Sequence, residues 1–463
     1  MRILDVSIAF SCLAILTSVA TGCSGGGGGS SSGGTPDSGT PGDDMGSDAG
    51  ACAPGGNGSL AITVSGLPAG VAAKVIVHDP TSADVAVDAT RTIATSPSGN
   101  YALHADVVAD SDAIVRTAYA ATISESTFCL ASSALKSVTV TYAPIGSSHK
   151  LWATNQDSDS GQLAAFAAGD LAATGSPAAA VNVKGPAGHH IAFDRDGNMW
   201  TMGATTGDPQ LVRFAAADLA ATGTKTPDRK IDLGIACVPA LDDLAFDPNG
   251  NLWVTSGCNK SVLRLAPADL AADGNVTPAV AIGGLNASAG IAFDAAGNMW
   301  IADSGAARLL RYDAGRLGAS TSDPASLSID AQDAGMADLP PGALAFDASG
   351  NLWSTSFGGN VIYEVTPAEL TGTGTKTLTP SVAMTMQVGA LLESIAFDEG
   401  GGLWLTYSMG KIARISPADL AVSTNAGAPT TPATITTSAD LAYADGLAFF
   451  PAPAALPLYA RLP

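Results

Sequence analysis

Aromatic, basic and sulfur-bearing residues are all scarce in this sequence. Phe, Trp and Tyr make up 6 % of the residues, so a core must be built from small side chains and a few placed large ones. Lys and Arg number 21 against 42 Asp and Glu, a formal net charge of −21. That balance excludes nucleic acid as a partner and excludes attachment to an anionic membrane by charge. It leaves a soluble surface, a basic partner or a cation. The one long apolar run, residues 6–19, is shorter than the ~20 residues that span a bilayer. There is no C-x-x-C pair of the kind that holds zinc, no G-x-S-x-G and no Ser-His-Asp set. The stretch Gly372-Thr373-Gly374-Thr375-Lys376-Thr377 lacks the glycine that precedes lysine in a phosphate loop.

Residues 1–22 read as a secretory signal, with Arg2 as its lone early cation and the apolar run ending at Ala20-Thr21-Gly22-Cys23. Residues 24–50 are Gly, Ser, Pro and Asp with almost nothing to bury. Such a segment cannot repay its ordering entropy, so residues 23–57 are expected to be a disordered linker. Of six cysteines, Cys12 leaves with the signal and Cys23 opens the linker. The remaining four allow three pairings, and keeping each bridge within one domain gives Cys52–Cys129 and Cys237–Cys258.

Residues 58–146 carry short, β-branched, period-two runs between Gly, Pro, Ser and Asp turns. Runs at 59–64, 74–77, 91–94, 101–105, 113–117 and 137–142 predict a small antiparallel β-sandwich acting as a spacer. From residue 147 to 463 a different phrase recurs, [I/L]-A-F-D-x-x-G-N-[L/M]-W. It ends at Trp200, Trp253, Trp300, Trp353 and Trp404, each seven residues after its Phe. A sixth copy is split, its Trp half at Leu151-Trp152 and its Phe half at Leu447-Ala448-Phe449. A repeat of about 50 residues, cut in two and rejoined, predicts an all-β, six-bladed β-propeller closed by its last strand. The Asp and Gly of each phrase are hairpin-turn residues. Asp194-Arg195-Asp196-Gly197 lacks the twelfth-position Glu of a calcium loop and is read as one such turn. A second recurring piece, Thr366-Pro-Ala-Glu369-Leu and Ser416-Pro-Ala-Asp419-Leu, has the spacing of a capping box, which makes its acids structural.

The pair of residues before each [I/L]-A-F should lie at the mouth of the central channel. Around the ring these are His189-His190, Asp242-Asp243, Ala289-Gly290, Gly342-Ala343, Glu393-Ser394 and Asp445-Gly446. Asp243, Glu393 and Asp445 are the candidate ligands for calcium or another divalent cation, and His190 is the candidate general base. Selectivity belongs on this face, because its loops differ in every copy while those of the opposite face are nearly uniform.

Several of these features resemble known families. Ala20-Thr21-Gly22-Cys23 resembles the lipobox of bacterial lipoproteins, which implies lipidation of Cys23 and a membrane anchor through that lipid. Ser24 after it resembles lipoproteins sorted to the outer membrane, so the expected place is the cell envelope, on either face of that membrane. The sandwich resembles immunoglobulin-like or prealbumin-like modules of bacterial surface proteins. The G-N-[L/M]-W phrases resemble NHL and streptogramin-lyase-like propeller repeats. Gluconolactonase-like propellers hold an ion near the channel mouth, and streptogramin lyases use a histidine base beside a metal. Two functions are therefore expected. The first is a lipid-anchored, monomeric, non-catalytic module that binds a protein or small molecule. The alternative is a metal-dependent lyase or lactonase with its site at the mouth.

Overall fold

The computed structural model describes Cys52 and residues 55–155, 161–203, 210–235, 241–387, 392–407, 410–422 and 429–462. The expected signal, the lipid site Cys23, nearly all of the linker and the Cys237 half of the Cys237–Cys258 bridge lie outside the described residues.

The first part is a two-sheet sandwich. One sheet runs, in order, Arg91–Pro97, Asn57–Ser65, Leu135–Pro144, Ala118–Ile123 and Val108–Ala109. The other runs Asp84–Val87, Val75–His78, Gly99–Ala105 and Thr127–Leu130. Period-two burial puts Leu60, Ile62, Val75, Val77, Tyr101 and Val138 into one core. Cys52 and Cys129 form a disulfide with their Cα atoms 5.6 Å apart, and this bridge ties the entering chain to the second sheet. Two expectations need correction. Asn57–Ser65 and Leu135–Pro144 pair in parallel, so the sandwich is not wholly antiparallel. Residues 113–117 are not a strand. Val115 from this segment is buried against Leu151, Trp404 and Phe449. The β-branched residues there serve an interface rather than a sheet.

Six antiparallel sheets follow. Their innermost strands are Gly188–Phe193, Leu244–Phe246, Ser288–Phe293, Pro341–Phe346, Ile395–Phe397 and Ala444–Phe450. The last of these belongs to the first blade. Ala444–Phe450 pairs antiparallel with Lys150–Asn155, setting Trp152 opposite Ala448 and Leu151 opposite Phe449. The chain therefore closes the ring with its own end, as the split repeat predicts, and removes the open edge.

The repeated letters now have physical reasons. Asp247 Oδ1 accepts the N–H groups of Asn249 (2.8 Å) and Asn251 (3.0 Å), which shapes the hairpin. Its Oδ2 accepts from Asn251 Nδ2 at 2.7 Å and from the indole Nε1 of Trp253 at 3.0 Å. The same indole bond occurs at Asp194–Trp200, Asp294–Trp300, Asp347–Trp353 and Asp398–Trp404. Trp152 has no such Asp, and its Nε1 donates to Ser147 O at 2.8 Å instead. Five of the tryptophans make a ring contact with the Phe of the next blade. Trp152–Phe193, Trp253–Phe293, Trp300–Phe346, Trp353–Phe397 and Trp404–Phe449 have centroids 6.2–6.4 Å apart in tilted or edge contacts. The capping boxes form too, with Glu369 Oε2 taking the Thr366 N–H and hydroxyl at 2.8 Å each.

The Asp is fully engaged in a buried turn, so its loss strands several donors. We expect Asp247→Ala to lower stability by about 3–5 kcal/mol, summing unpaired buried donors at ~1–3 kcal/mol each. Thermal and urea unfolding would measure it. A loss under ~1 kcal/mol would show that the turn holds without its carboxylate.

The connections between third and fourth strands add a layer that the repeats did not announce. Each reaches back to the outer strand of the preceding blade. Gly223–Thr224 pairs parallel with Val181–Lys184, Gly274–Asn275 with Arg229–Asp232, and Gly374–Leu378 with Leu327–Ala331. Single bridges at Ile282–Thr321 and Thr436–Gly175 continue the pattern. The stretch that mimics a phosphate loop is thus an outer strand.

Residues 52–463 form one compact unit. The sandwich seats on the end of the ring that carries the Asp-x-x-Gly turns. There Glu399 N donates to Ile114 O (3.0 Å), and buried Arg116 reaches Glu399 at 3.3 Å and the carbonyls of Ala452 and Leu462 at 3.2 Å. The opposite end of the channel is left clear of the sandwich.

Candidate functional site at the channel mouth

A repeated irregularity builds the mouth. In four innermost strands the register with the second strand slips at the two residues before [I/L]-A-F: at 189–190, 289–290, 342–343 and 445–446. A bulge of this kind re-aims side chains out of the pleat. His189 sits at φ 52° in the first of them. Threonines on the second strands fix most of these bends, and Thr255 of the preceding blade reaches Ala289 O at 2.7 Å. Thr154 Oγ1 donates to His189 O and accepts from Gly446 N, and Thr201 Oγ1 donates to Gly188 O and His190 O. Thr255 and Thr406 do similar work for Asp243, Glu393 and Ser394. Gly446 must be glycine, since a Cβ there would lie 2.5 Å from His189 O. The threonines were not singled out from the sequence. The W-x-T spacing at Trp152, Trp253, Trp353 and Trp404 was the available signal.

The rim is stitched between blades by charge. His190 Nδ1 lies 3.1 Å from Asp243 Oδ1 on the next blade, and His189 Nδ1 lies 3.0 Å from Asp445 Oδ2 on the preceding one. Asp243 is further fixed by the N–H groups of Leu244 (2.8 Å) and Ile291 (3.0 Å). Asp242 accepts from Gly257 N. Glu393, from the blade beside the one that carries Asp445, lines the same cavity and makes no ion pair among the described residues.

These placements move the proton affinities. Burial works against charge on His190, but Asp243 and then the Asp445 and Glu393 charges outweigh it and hold the imidazole up to about 9. Asp243 thus favours the protonated form of His190, the residue expected as general base. Burial, reinforced by Asp445, pushes the Glu393 carboxyl up. Burial also raises Asp242, against the pull of the Gly257 N–H and the histidines. Burial would raise Asp445 as well, but the His189 hydrogen bond and the two imidazoles hold it below the usual range.

The cavity enclosed by this rim is about 240 Å³. Aromatic side chains join the carboxylates around it. Phe357, 57 % exposed, stands on its edge, and Tyr443 lines it with its phenol raised by burial and then by Glu393 and Asp445. The expected site residues His190, Glu393 and Asp445 thus share one end of the channel with Asp242, and Asp243 supports His190 at its inner edge.

The gluconolactonase-like resemblance implies a cation at this mouth, and Asp243 is the expected ligand most occupied by protein partners. Both Asp243 oxygens are committed, one to His190 and Leu244 N and the other to Ile291 N. Among the described residues, no group of three or more His, Cys, Asp or Glu could hold a metal ion. Of the three acids expected as ligands, Asp243 and Asp445 are each paired with an imidazole and Glu393 lines the same cavity.

Fold and site together define a six-bladed propeller with an acidic, histidine-braced channel mouth. The sequence model of the SMP-30/Gluconolactonase/LRE-like region matches residues 233–377. That stretch covers the third and fourth blades and the first three strands of the fifth, and includes Asp242 and Asp243, but not His190, Glu393 or Asp445. Among solved structures the chain is similar to a streptogramin B lyase, at 16 % identity over 50 % of this chain and 67 % of that one, with a TM-score of 0.36. It is also similar to a catalytically inactive virginiamycin B lyase from Staphylococcus aureus with quinupristin, at 14 % identity over 53 % and 71 %, with a TM-score of 0.33. A comparison with curated proteins gives no match.

Proposed function

We propose that this protein is a non-catalytic binding module of the cell envelope that holds an organic cation at its channel mouth. The observation that carries the reading is the composition of the cavity. Asp242, Glu393 and Asp445 face a space edged by Phe357 and Tyr443. His189 and His190 bring the basic groups there, each paired with a carboxylate. Carboxylates whose burial resists ionisation gain most from an incoming positive charge, and aromatic faces attract an ammonium. Anchoring through a lipid on Cys23 and a flexible linker belongs to the same proposal. So do an outer-membrane location and a monomeric state. The seating of the sandwich on the turn end, away from the cavity, suits a module whose binding face must stay accessible.

Ethylammonium is a suitable probe, followed by chemical-shift perturbation and calorimetry. Saturable binding is expected, and Asp242→Asn with Glu393→Gln together should weaken it at least tenfold. Affinity should also fall as pH drops toward 5. The Glu393 and Asp242 carboxyls are raised, so they take up protons above the ordinary carboxylate range and lose their attraction there. Failure of ethylammonium to perturb the rim at any attainable concentration, or binding indifferent to both substitutions, would overturn the reading.

The match at residues 233–377 favours a second reading, a metal-dependent lyase or lactonase acting at the same mouth. Metal analysis of the purified protein, with Asp243→Ala as the comparison, separates the two. A stoichiometric divalent ion lost in the variant would replace the binding-module reading.

A further inference from the structure

Behind the mouth lies a second cavity of different chemistry. It occupies the bore of the ring, with a volume of about 160 Å³. Its wall includes the middle residue of each [I/L]-A-F, Ala192, Ala245, Ala292, Ala345, Ala396 and Ala448, with the flanking Ile, Leu and Phe side chains beside them. In each innermost strand this residue turns to the axis, while the flanking Ile or Leu and the Phe are buried between blades. The small side chain therefore keeps the bore open. The far end is closed by the chain itself. After the ring-closing strand the tail crosses beneath the bore, and Leu456 and Tyr459 form a floor, the latter stacked on Phe246 at 5.1 Å. His190 and Ala343 line both this bore and the mouth, so the two spaces meet end to end.

An apolar cavity near 150 Å³ lined by carbon stays dry and can take a molecule the size of benzene. Here such a space joins the charged mouth at His190 and Ala343. We propose that the ligand is an amphiphilic amine, its ammonium at the acidic mouth and an aromatic or short branched alkyl body inside the alanine-walled bore. The tail floor sets the length of that body, and the six alanines set its width. This rests on the organic-cation reading of the mouth and adds the class of ligand. A hydrophilic cation would leave the bore empty, and a neutral apolar molecule would leave the carboxylates unpaired.

The test compares ethylammonium, benzylammonium and benzyl alcohol on the purified protein and on a bore-filling variant, Ala345→Phe. Benzylammonium is expected to bind at least tenfold more tightly than ethylammonium. Benzyl alcohol should bind the bore without disturbing the carboxylates. Ala345→Phe should remove the benzylammonium advantage and the benzyl alcohol binding while ethylammonium affinity stays within twofold, which also shows the variant to be folded. If that variant does not fold, Ala345→Val gives the smaller form of the same loss. Equal affinity for the two amines in the native protein would overturn the proposal, as would a benzyl advantage that survives bore filling. A protein that takes benzyl alcohol but no amine would overturn the cationic mouth and leave the bore as an apolar site, so the two failures are distinguishable.

Discussion

A chain ended at Tyr443 is expected to lose its cooperative unfolding transition and to expose its first tryptophan. Residues 444–450 supply the whole innermost strand of the first blade. Leu447, Phe449 and Phe450 from this strand are at most 5 % exposed. Each such side chain contributes about 1.5–3 kcal/mol by burial, before any ladder hydrogen bonds are counted. The sum approaches the ~5–15 kcal/mol that stabilises a typical domain. The position matters as much as the area. Phe449 packs on Trp404 of the sixth blade at 6.4 Å, and Phe450 packs on Phe193 of the second at 5.3 Å. One strand therefore holds three blades together. The truncated chain also loses the tail whose carbonyls receive Arg116, so the sandwich seat is cut as well. Near-UV circular dichroism, tryptophan emission and limited proteolysis would report the change. The milder Phe449→Ala should cost about 3–5 kcal/mol. A truncated protein that melts within a few degrees of the full chain would mean that the ring holds without being closed.

The architecture was legible because its devices are local and repeated. The seven-residue spacing from Phe to Trp fixes a hairpin, and the split copy fixes closure, whatever the loops between them do. What stayed hidden depends on contacts between distant segments with no shared pattern. The run at 113–117 has the composition of a strand, but Val115 is buried by the propeller, which composition cannot foresee. The parallel pairing of Asn57–Ser65 with Leu135–Pro144 leaves no mark on alternation, since both strands bury every second residue either way. The outer pairings, such as Gly374–Leu378 on Leu327–Ala331, use polar, Gly-containing segments that read as loops. At the mouth, the sequence indicated which residue pairs meet, since they precede the same phrase in every blade. It did not indicate that imidazole would meet carboxylate across blades. That depends on the bulge and on which blade each pair belongs to.

Replacing Asp243 by Asn is expected to drop the pKa of His190 from about 9 to below 6.5. Asp243 heads the contributions that raise the imidazole, and burial, the largest single influence, acts in the opposite direction. With the carboxylate neutralised, burial is left nearly unopposed, because the remaining charges on Asp445 and Glu393 are weaker influences. The side chain is only 17 % exposed, so water does little to compensate. The same shift has a stability consequence whose sign is fixed. The folded value lies above the ~6.5 of the unfolded chain, so the contribution is complete below about 6.5 and lost as pH rises through about 9. For the native protein it is on the order of 3 kcal/mol at its fullest. Asp243→Asn should be less stable at pH 6 and should lose little more between pH 6 and 9.5, whereas the native protein should lose most of this contribution over that span. Imidazole proton resonances followed through a pH titration, with His190→Gln for assignment, would give the midpoint, and urea unfolding at the two pH values would give the stability. A midpoint that stays near 9 in the Asn variant would show that the rim's field, and not this one carboxylate, holds the proton. The charged pairs would then be incidental to how the mouth is built.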